Sequence, residues 1–138
     1  MIPKVFVIVY KIIDENYRFL LLKPAPEPGR DIDYYVITGG VEVGEIPQAA
    51  AKREVEEEIG TKPGHMLGLN HALTYRDSID GQQYVEYCFA ARIGNEALRL
   101  NEEHLDYKWV SAKDFVRFIW WEDDRTELRH MVSSILHQ

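Results

Sequence analysis

The sequence predicts an α+β domain, or the related layered α/β/α arrangement, and three observations support this. Strand-like and helix-like segments follow one another along the whole chain, a helix with clear start and stop residues lies near its middle, and the last segment has amphipathic helical spacing. The 138 residues suffice for one hydrophobic core and are too few for two. We therefore expect residues 1–138 to form a single domain.

The strand predictions rest on β-branched and aromatic runs bounded by turn residues. The predicted strands are residues 5–10, 17–23, 34–37, 68–75, 84–93 and 107–110. Asp14, Glu15 and Asn16 separate the first two strands, which predicts a hairpin. Residues 24–33 contain three prolines and a Pro-Gly pair, so we expect an exposed loop there.

Three helices follow from end signals and spacing. Residues 47–59 are predicted as a helix because Pro47 suits a first turn and Gly60 suits the left-handed position after a helix, although Ile46 is a poor N-cap. Ser111 followed by Asp114 predicts a capped short helix. The last helix has an apolar stripe of Leu128, Met131, Val132, Ile135 and Leu136.

Composition restricts the partners. A net charge of −7 argues against nucleic acid, whose backbone attracts a basic surface. No apolar run approaches the roughly 20 residues of a membrane-spanning helix, so we expect no membrane partner. Cys88 is the only cysteine, which excludes an internal disulfide and indicates a reducing cytoplasm. Trp120 and Trp121 are interpreted as a core anchor or as the contact of a homodimer, and the sequence does not decide between the two.

The segment GGVEVGEIPQAAAKREVEEEIGT, residues 39–61, contains the residues from which we predict chemistry. On a helix, Glu54, Glu57 and Glu58 lie at i, i+3 and i+4 and share one face, separate from an apolar stripe. Carboxylates this close repel unless a cation neutralises them, and clustered oxygen ligands suit Mg²⁺ or Mn²⁺. The spacing therefore predicts a divalent metal site.

The residues around this face fit the same prediction. Gly39, Gly40 and Gly44 allow a sharp turn that brings backbone carbonyls near the carboxylates. Glu45 can join the metal cluster through the start of the helix. Arg53 points to a neighbouring face, where we expect its guanidinium to brace a glutamate or a loop carbonyl.

This segment resembles the Nudix box, GX5EX7REUXEEXGU, at every position except the last, where Thr61 replaces an aliphatic residue. Seven identical residues at fixed spacing should coincide by chance on the order of once in 10⁸ to 10⁹ starts, given average residue usage. The resemblance implies a mixed β-sheet between helices and metal-assisted hydrolysis of a phosphoanhydride bond. It also implies that Glu54, Glu57, Glu58 and the Gly39 carbonyl bind the metal, and that Glu54, Arg53 and Glu57 act in catalysis.

Two further segments, VITGGVEVGE and EEHLDYKWV, resemble the dihydroneopterin triphosphate and dATP pyrophosphohydrolase branch. That likeness implies Glu103 as another metal ligand. His71, His104, His130 and His137 have no zinc-like spacing, so we predict no metal role for them. Ile37, Thr38 and Tyr34 depart from the residues common before the box. Because diadenosine tetraphosphate hydrolases contain a similar second run, three functions stay open: a (d)NTP or pterin triphosphate pyrophosphohydrolase, a dinucleoside polyphosphate hydrolase, and a non-catalytic nucleotide-binding domain.

Four residues outside the motifs are candidates for substrate binding. Lys23 and Arg30 flank the proline-rich loop and are candidates for contact with phosphates, although plain surface cations would look the same. Tyr34 and Trp109 are candidates for stacking on a base or pterin ring. Packing in the core is the alternative for both aromatic residues.

Overall fold

The computed structural model describes residues 1–26, 28, 33–119 and 125–138. The strands are β1 Ile2–Ile13, β2 Asn16–Pro24, β3 Ile37–Gly40, β4 His65–Arg76, β5 Gln83–Arg92 and β6 His104–Val110. The helices are α1 Pro47–Ile59, α2 Ala112–Phe118 and α3 Thr126–Leu136. None of the helices formed by the described residues has the length and apolar composition of a membrane span.

The first two strands form the predicted hairpin. Ile13 pairs with Asn16, and the two residues between them have positive φ, 49° at Asp14 and 68° at Glu15. Left-handed backbone at both positions defines a two-residue turn whose twist matches that of the flanking strands. The sequence identified the turn from its polar residues, which tolerate this conformation better than β-branched ones do.

Strand β1 is the centre of a mixed sheet with the strand order β4-β5-β1-β2-β6. It runs parallel to β5 on one side. On the other side it pairs antiparallel with β3 along its first half and with β2 along its second half. The mixed sheet that the resemblance implied is thus confirmed. Pairing with β1 also fixes the position of the end of β3.

Each face of the sheet is covered by helices, so the α/β/α layering is confirmed. Val5, Val7 and Val9 of β1 face α1, whose buried residues are Ala50, Ala51, Val55, Glu58 and Ile59. The alternate residues Phe6, Ile8 and Tyr10 pack in the opposite core with α2 and α3. A strand buried on both faces is expected to be a continuous apolar run, as residues 5–10 are.

The predicted helix ends are also confirmed. Pro47 begins α1, Ile46 makes no side-chain cap, and Gly60 ends the helix at φ 68° while donating its N–H to the Glu56 carbonyl at 3.1 Å. The Ser111 hydroxyl accepts a hydrogen bond from the Asp114 N–H at 3.2 Å, which caps α2.

The prediction of a strand at residues 34–37 was wrong in its position. Strand β3 begins at Ile37 and continues through Gly39 and Gly40, while Tyr35 lies before the strand and forms an isolated bridge to Leu22. The sequence predicts a turn at these glycines, but ladder hydrogen bonds involve only the backbone, and both Gly39 and Gly40 pair with β1. Half of the predicted loop at residues 24–33 lies outside the described residues, and so do Arg30, Trp120 and Trp121.

Candidate active site

The end of β3 packs directly against the carboxylate of Glu54. Gly39 pairs with Val5 of β1, and a Cβ built on Gly39 would overlap the carboxyl group of Glu54. A Cβ built on the neighbouring Gly40 would meet nothing within 4 Å. Gly39 is therefore required for close approach of strand and helix, whereas Gly40 borders open space.

The three box glutamates share one face of α1, as predicted, but their surroundings differ. The exposed fraction of the side chain is 55% for Glu57, 12% for Glu54 and 3% for Glu58. The carboxylates therefore range from a solvent-facing group to one enclosed by protein. A multivalent cation approaching from solvent meets Glu57 first and Glu58 last.

Arg53 is bonded through all its guanidinium nitrogens. Nε and Nη2 donate to the two carboxylate oxygens of Glu45, each at 2.9 Å, and Nη1 donates to Glu54 at 2.9 Å and to Glu57 at 3.4 Å. Nη2 also donates to the Gly40 carbonyl at 2.9 Å. The bracing predicted for Arg53 is present, and only a planar five-donor group can make this set of bonds.

We call the hydrogen bonds from Arg53 to Glu45, Glu54, Glu57 and the Gly40 carbonyl the Arg53 clamp. Within it, Glu45 forms an ion pair with Arg53. Its hydrogen bonds from Arg53 and from the Glu42 N–H lower the pKa of the Glu45 carboxyl to about 2, so it is ionised at neutral pH. The structure thus gives Glu45 a bracing position, with Arg53 between it and the carboxylate of Glu54.

Glu58 is the carboxyl group with the most unfavourable environment for charge. Burial, the adjacent carboxylate of Glu54 and the negative charges of Glu103 and Glu57 raise the pKa of the Glu58 carboxyl well above its ordinary value. Its Oε2 atom is buried and makes no hydrogen bond among the described residues. A divalent cation would offset the repulsion and give this oxygen a partner, so the residues fit the metal that the sequence predicts.

The segment before β6 places Glu103 beside the carboxyl group of Glu58. The N–H groups of Arg99 and Asn101 donate to the carbonyls of Ile59 and Glu58, which are among those a helix leaves free at its C-terminal end. Asn101 Oδ1 then accepts from the Glu103 N–H at 3.0 Å. The end of α1 is therefore joined by its backbone to the loop that presents Glu103.

His104 also lies beside Glu58 and Glu103. The sequence did not predict this position of His104. Its Nε2 is 2.7 Å from Glu58 Oε1, and both side chains are more than nine-tenths buried. Ligand atoms of Glu58, Glu103 and His104 all lie within 4.8 Å of one another. Histidine spacing alone gave no signal, because the partner of His104 is a glutamate 46 positions earlier in the chain. Its position next to Glu103 was the available clue.

Of the described substrate-binding candidates, Lys23 and Tyr34 are neighbours, whereas Trp109 packs in the other core. Lys23 is at the end of β2, 3.5 Å from an Asp33 oxygen and 5.8 Å from the ring centre of Tyr34. Tyr34 packs on the core that faces α2 and α3, whereas Trp109 packs on the core that faces α1.

Trp109 follows His104 by five positions along β6, which separates their Cα atoms by roughly 16 Å at the usual strand rise. Its ring lies 4.2 Å from Lys11 Nζ. The alternative of packing in the core fits this position, and contact of Trp109 with a substrate stays a prediction.

The mixed sheet between helices and the clustered glutamates of α1 define the protein as a Nudix-type hydrolase. The family model described as NUDIX domain matches residues 3–131, so the chain belongs to the Nudix family. It is 32% identical over 119 residues to a nucleoside triphosphatase NudI of Klebsiella pneumoniae, covering 80% of this chain and 85% of that protein.

Solved structures agree on the fold. An Ap4A hydrolase of C. elegans in a binary complex superposes with a TM-score of 0.82 at 20% identity, covering 100% of both chains. A dihydroneopterin triphosphate pyrophosphohydrolase of E. coli superposes with a TM-score of 0.76 at 22% identity, covering 96% of this chain and 95% of that one. At these identities the likeness shows a shared fold.

Proposed function

We propose that the protein is a Mg²⁺- or Mn²⁺-dependent pyrophosphohydrolase that releases pyrophosphate from a nucleoside or pterin triphosphate. The main observation is the close packing of Gly39 against Glu54, beside the buried Glu58 and the Arg53 clamp. This places carboxylates and a strand end together where a diphosphate and a divalent ion can meet. The whole chain would act as one domain.

The metal would be held by Glu54, Glu57, Glu58 and Glu103, together with the carbonyl of Gly39. When bound, the ion supplies positive charge that neutralises the diphosphate and the leaving group. Of the four carboxylates, Glu54 is the one that touches both the end of β3 and Arg53. Glu54 or a neighbouring carboxylate would accept the proton of the attacking water, and Arg53 would keep Glu54 and Glu57 in position.

The triphosphate substrate is favoured by the match to NudI proteins, which are nucleoside triphosphatases by name. An Ap4A-type dinucleotide is the second candidate, because the Ap4A hydrolase fold and the EEHLDYKWV run both match. Lys23 and Tyr34 are the described candidates for contact with the substrate, and Arg30 is a further candidate from sequence. The single buried Cys88 supports a cytoplasmic location.

The test is a turnover screen of the purified protein with Mg²⁺ or Mn²⁺ and with excess EDTA. The substrates would be the common (d)NTPs, dihydroneopterin triphosphate and diadenosine tetraphosphate, with products identified by mass spectrometry. We expect metal-dependent release of pyrophosphate from a triphosphate. Preference for the dinucleotide would select the second candidate, and no turnover despite metal binding would favour a non-catalytic nucleotide-binding domain.

Two variants test the role of the box. Glu57→Gln and Glu58→Gln should each reduce metal-dependent turnover by at least about a hundredfold, as expected when a group that stabilises the transition state is lost. Lys52→Gln is the control, since Lys52 is exposed on the same helix. Wild-type turnover in either glutamate variant would contradict the proposed metal ligands.

A further inference from the structure

The side chains of Glu58, Glu103 and His104 meet in a small group at the inner end of the carboxylate face. Their ligand atoms lie within 4.8 Å of one another, and the closest pair, Glu58 Oε1 and His104 Nε2, is 2.7 Å apart. Two adjacent ligands of one ion, at bonds of about 2.0–2.2 Å and an angle of about 90°, are separated by roughly 3 Å. A single ion therefore fits among these atoms after small side-chain rotations.

Two atoms of this group have no partner among the described residues. Glu58 Oε2 and His104 Nδ1 are both buried without a hydrogen bond. The exposed fraction of the side chain is 3% for Glu58 and 8% for His104, so bulk water does not satisfy them. A buried polar atom without a hydrogen-bond partner destabilises the folded state. The unpaired Glu58 Oε2 is an observation separate from the proximity of the ligand atoms, and it indicates that a ligand enters the group.

We propose that His104 is a metal ligand, and that Glu58, Glu103 and His104 bind a first-row transition ion through one imidazole nitrogen and two carboxylates. This inference rests on the proposed function, because the site shares Glu58 and Glu103 with the hydrolytic centre. The Nudix box does not include His104, and the likeness of the EEHLDYKWV run, which contains His104, implies a metal role only for Glu103.

An imidazole ligand changes which ion the site prefers. Mg²⁺ favours oxygen ligands and retains several waters, whereas imidazole nitrogen suits Mn²⁺ less strongly than Co²⁺ or Zn²⁺ and suits all three better than Mg²⁺. The site should therefore hold Mn²⁺, Co²⁺ or Zn²⁺ more tightly than Mg²⁺. Loss of the nitrogen should weaken the transition ions selectively.

Electron spin-echo modulation of the protein loaded with Mn²⁺ alone tests the proposal without any turnover. A directly bound imidazole nitrogen modulates the echo of Mn²⁺, and carboxylate oxygen does not. We expect nitrogen modulation in the wild-type protein, its loss in His104→Asn, and its retention in His130→Asn, since His130 is exposed on α3. Calorimetric titration should show Co²⁺ or Zn²⁺ affinity falling at least about tenfold in His104→Asn, with Mg²⁺ affinity nearly unchanged.

Glu103→Gln provides a variant at an exposed position in case His104→Asn does not fold. It should keep the nitrogen modulation while weakening Mn²⁺ binding. Bound Mn²⁺ without nitrogen modulation in the wild-type protein, or modulation that persists in His104→Asn, would overturn the proposal. Both of these results would concern only the role of His104, and the wild-type protein would still hydrolyse its substrate with metal. Failure of the proposed function would instead appear as absent turnover of the wild-type protein with every metal.

Discussion

The guanidinium of Arg53 donates to the Gly40 carbonyl at 2.9 Å and so joins helix α1 to the last residue of β3. The same side chain bonds Glu45 before the helix and Glu54 within it. Strand end, loop and helix are therefore held in one geometry by a single residue. Such supporting contacts matter because catalytic groups displaced by a fraction of an ångström lose much of their effect.

Replacing Arg53 with Lys should lower kcat by roughly 10- to 100-fold, the usual cost of losing a residue that orients metal ligands. Lysine keeps the charge but cannot bond Glu45 through two nitrogens while also reaching Glu54 and Gly40. Steady-state kinetics, together with circular dichroism to verify the fold, measure the effect. Lys52→Arg on the same helix is the control, and an Arg53→Lys enzyme as fast as the wild type would show that the clamp is dispensable.

The two glycines at the end of β3 provide a matched pair. Gly39→Ala should abolish most activity because its Cβ would displace the Glu54 carboxyl group. Gly40→Ala should have little effect, since its Cβ would meet nothing within 4 Å. Turnover of both variants at saturating metal distinguishes them, and equal losses would mean that the approach of β3 to Glu54 is not what limits activity.

The sequence predicted the local parts of this site well because their determinants are local. The helical spacing of Glu54, Glu57 and Glu58 and the left-handed Gly60 follow from residues within two turns of each other. The expected bracing by Arg53 was equally accessible, since its main partner Glu45 is only eight residues away.

The parts that the sequence missed depend on contacts between distant segments. The bond between His104 and Glu58 spans 46 positions and exists only because the loop before β6 is bonded to the end of α1. The sequence did not predict a strand at Gly39 because glycine prefers turns and has no side chain that indicates strand pairing. Backbone pairing with β1 overrides that preference.

The cap of α2 gives a stability prediction that is independent of the active site. Ser111→Ala should lower the free energy of unfolding by about 1 kcal/mol, because the Asp114 N–H would lose its acceptor. Urea denaturation at neutral pH measures this loss. Ser134→Ala is the control, since that exposed hydroxyl bonds a carbonyl within α3 and alanine favours helix. A loss at Ser134 as large as that at Ser111 would argue against capping as the cause.

The buried Glu86 gives a prediction for pH. It lies on β5 beside Lys4 of β1, with 5% of its surface exposed. Burial raises the pKa of the Glu86 carboxyl to about 7, although the charge of Lys4 and a hydrogen bond from Tyr75 act in the opposite direction. In the unfolded chain the group titrates near its ordinary value of 4.5. Between these two values the folded protein holds a proton that the unfolded chain releases.

The sign follows from this difference in bound protons. Where the folded state binds more protons, the free energy of unfolding falls as pH rises, so Glu86 destabilises the fold progressively from about pH 4.5 to about pH 7 and by a constant amount above that. Glutamine stays neutral throughout. From about pH 5.5 to about pH 8, Glu86→Gln should therefore gain about 2 kcal/mol relative to the wild-type protein.

Urea denaturation of both proteins across this range, in metal-free buffer, measures the difference. Glu102→Gln is the control, because that side chain is exposed and its effect should not vary in the same way. The wild-type curve should fall between about pH 5 and about pH 7 while the Glu86→Gln curve stays flatter. If the two curves ran parallel, Glu86 would be ionised throughout the range in the folded protein. The charge of Lys4 and the Tyr75 hydroxyl would then outweigh burial.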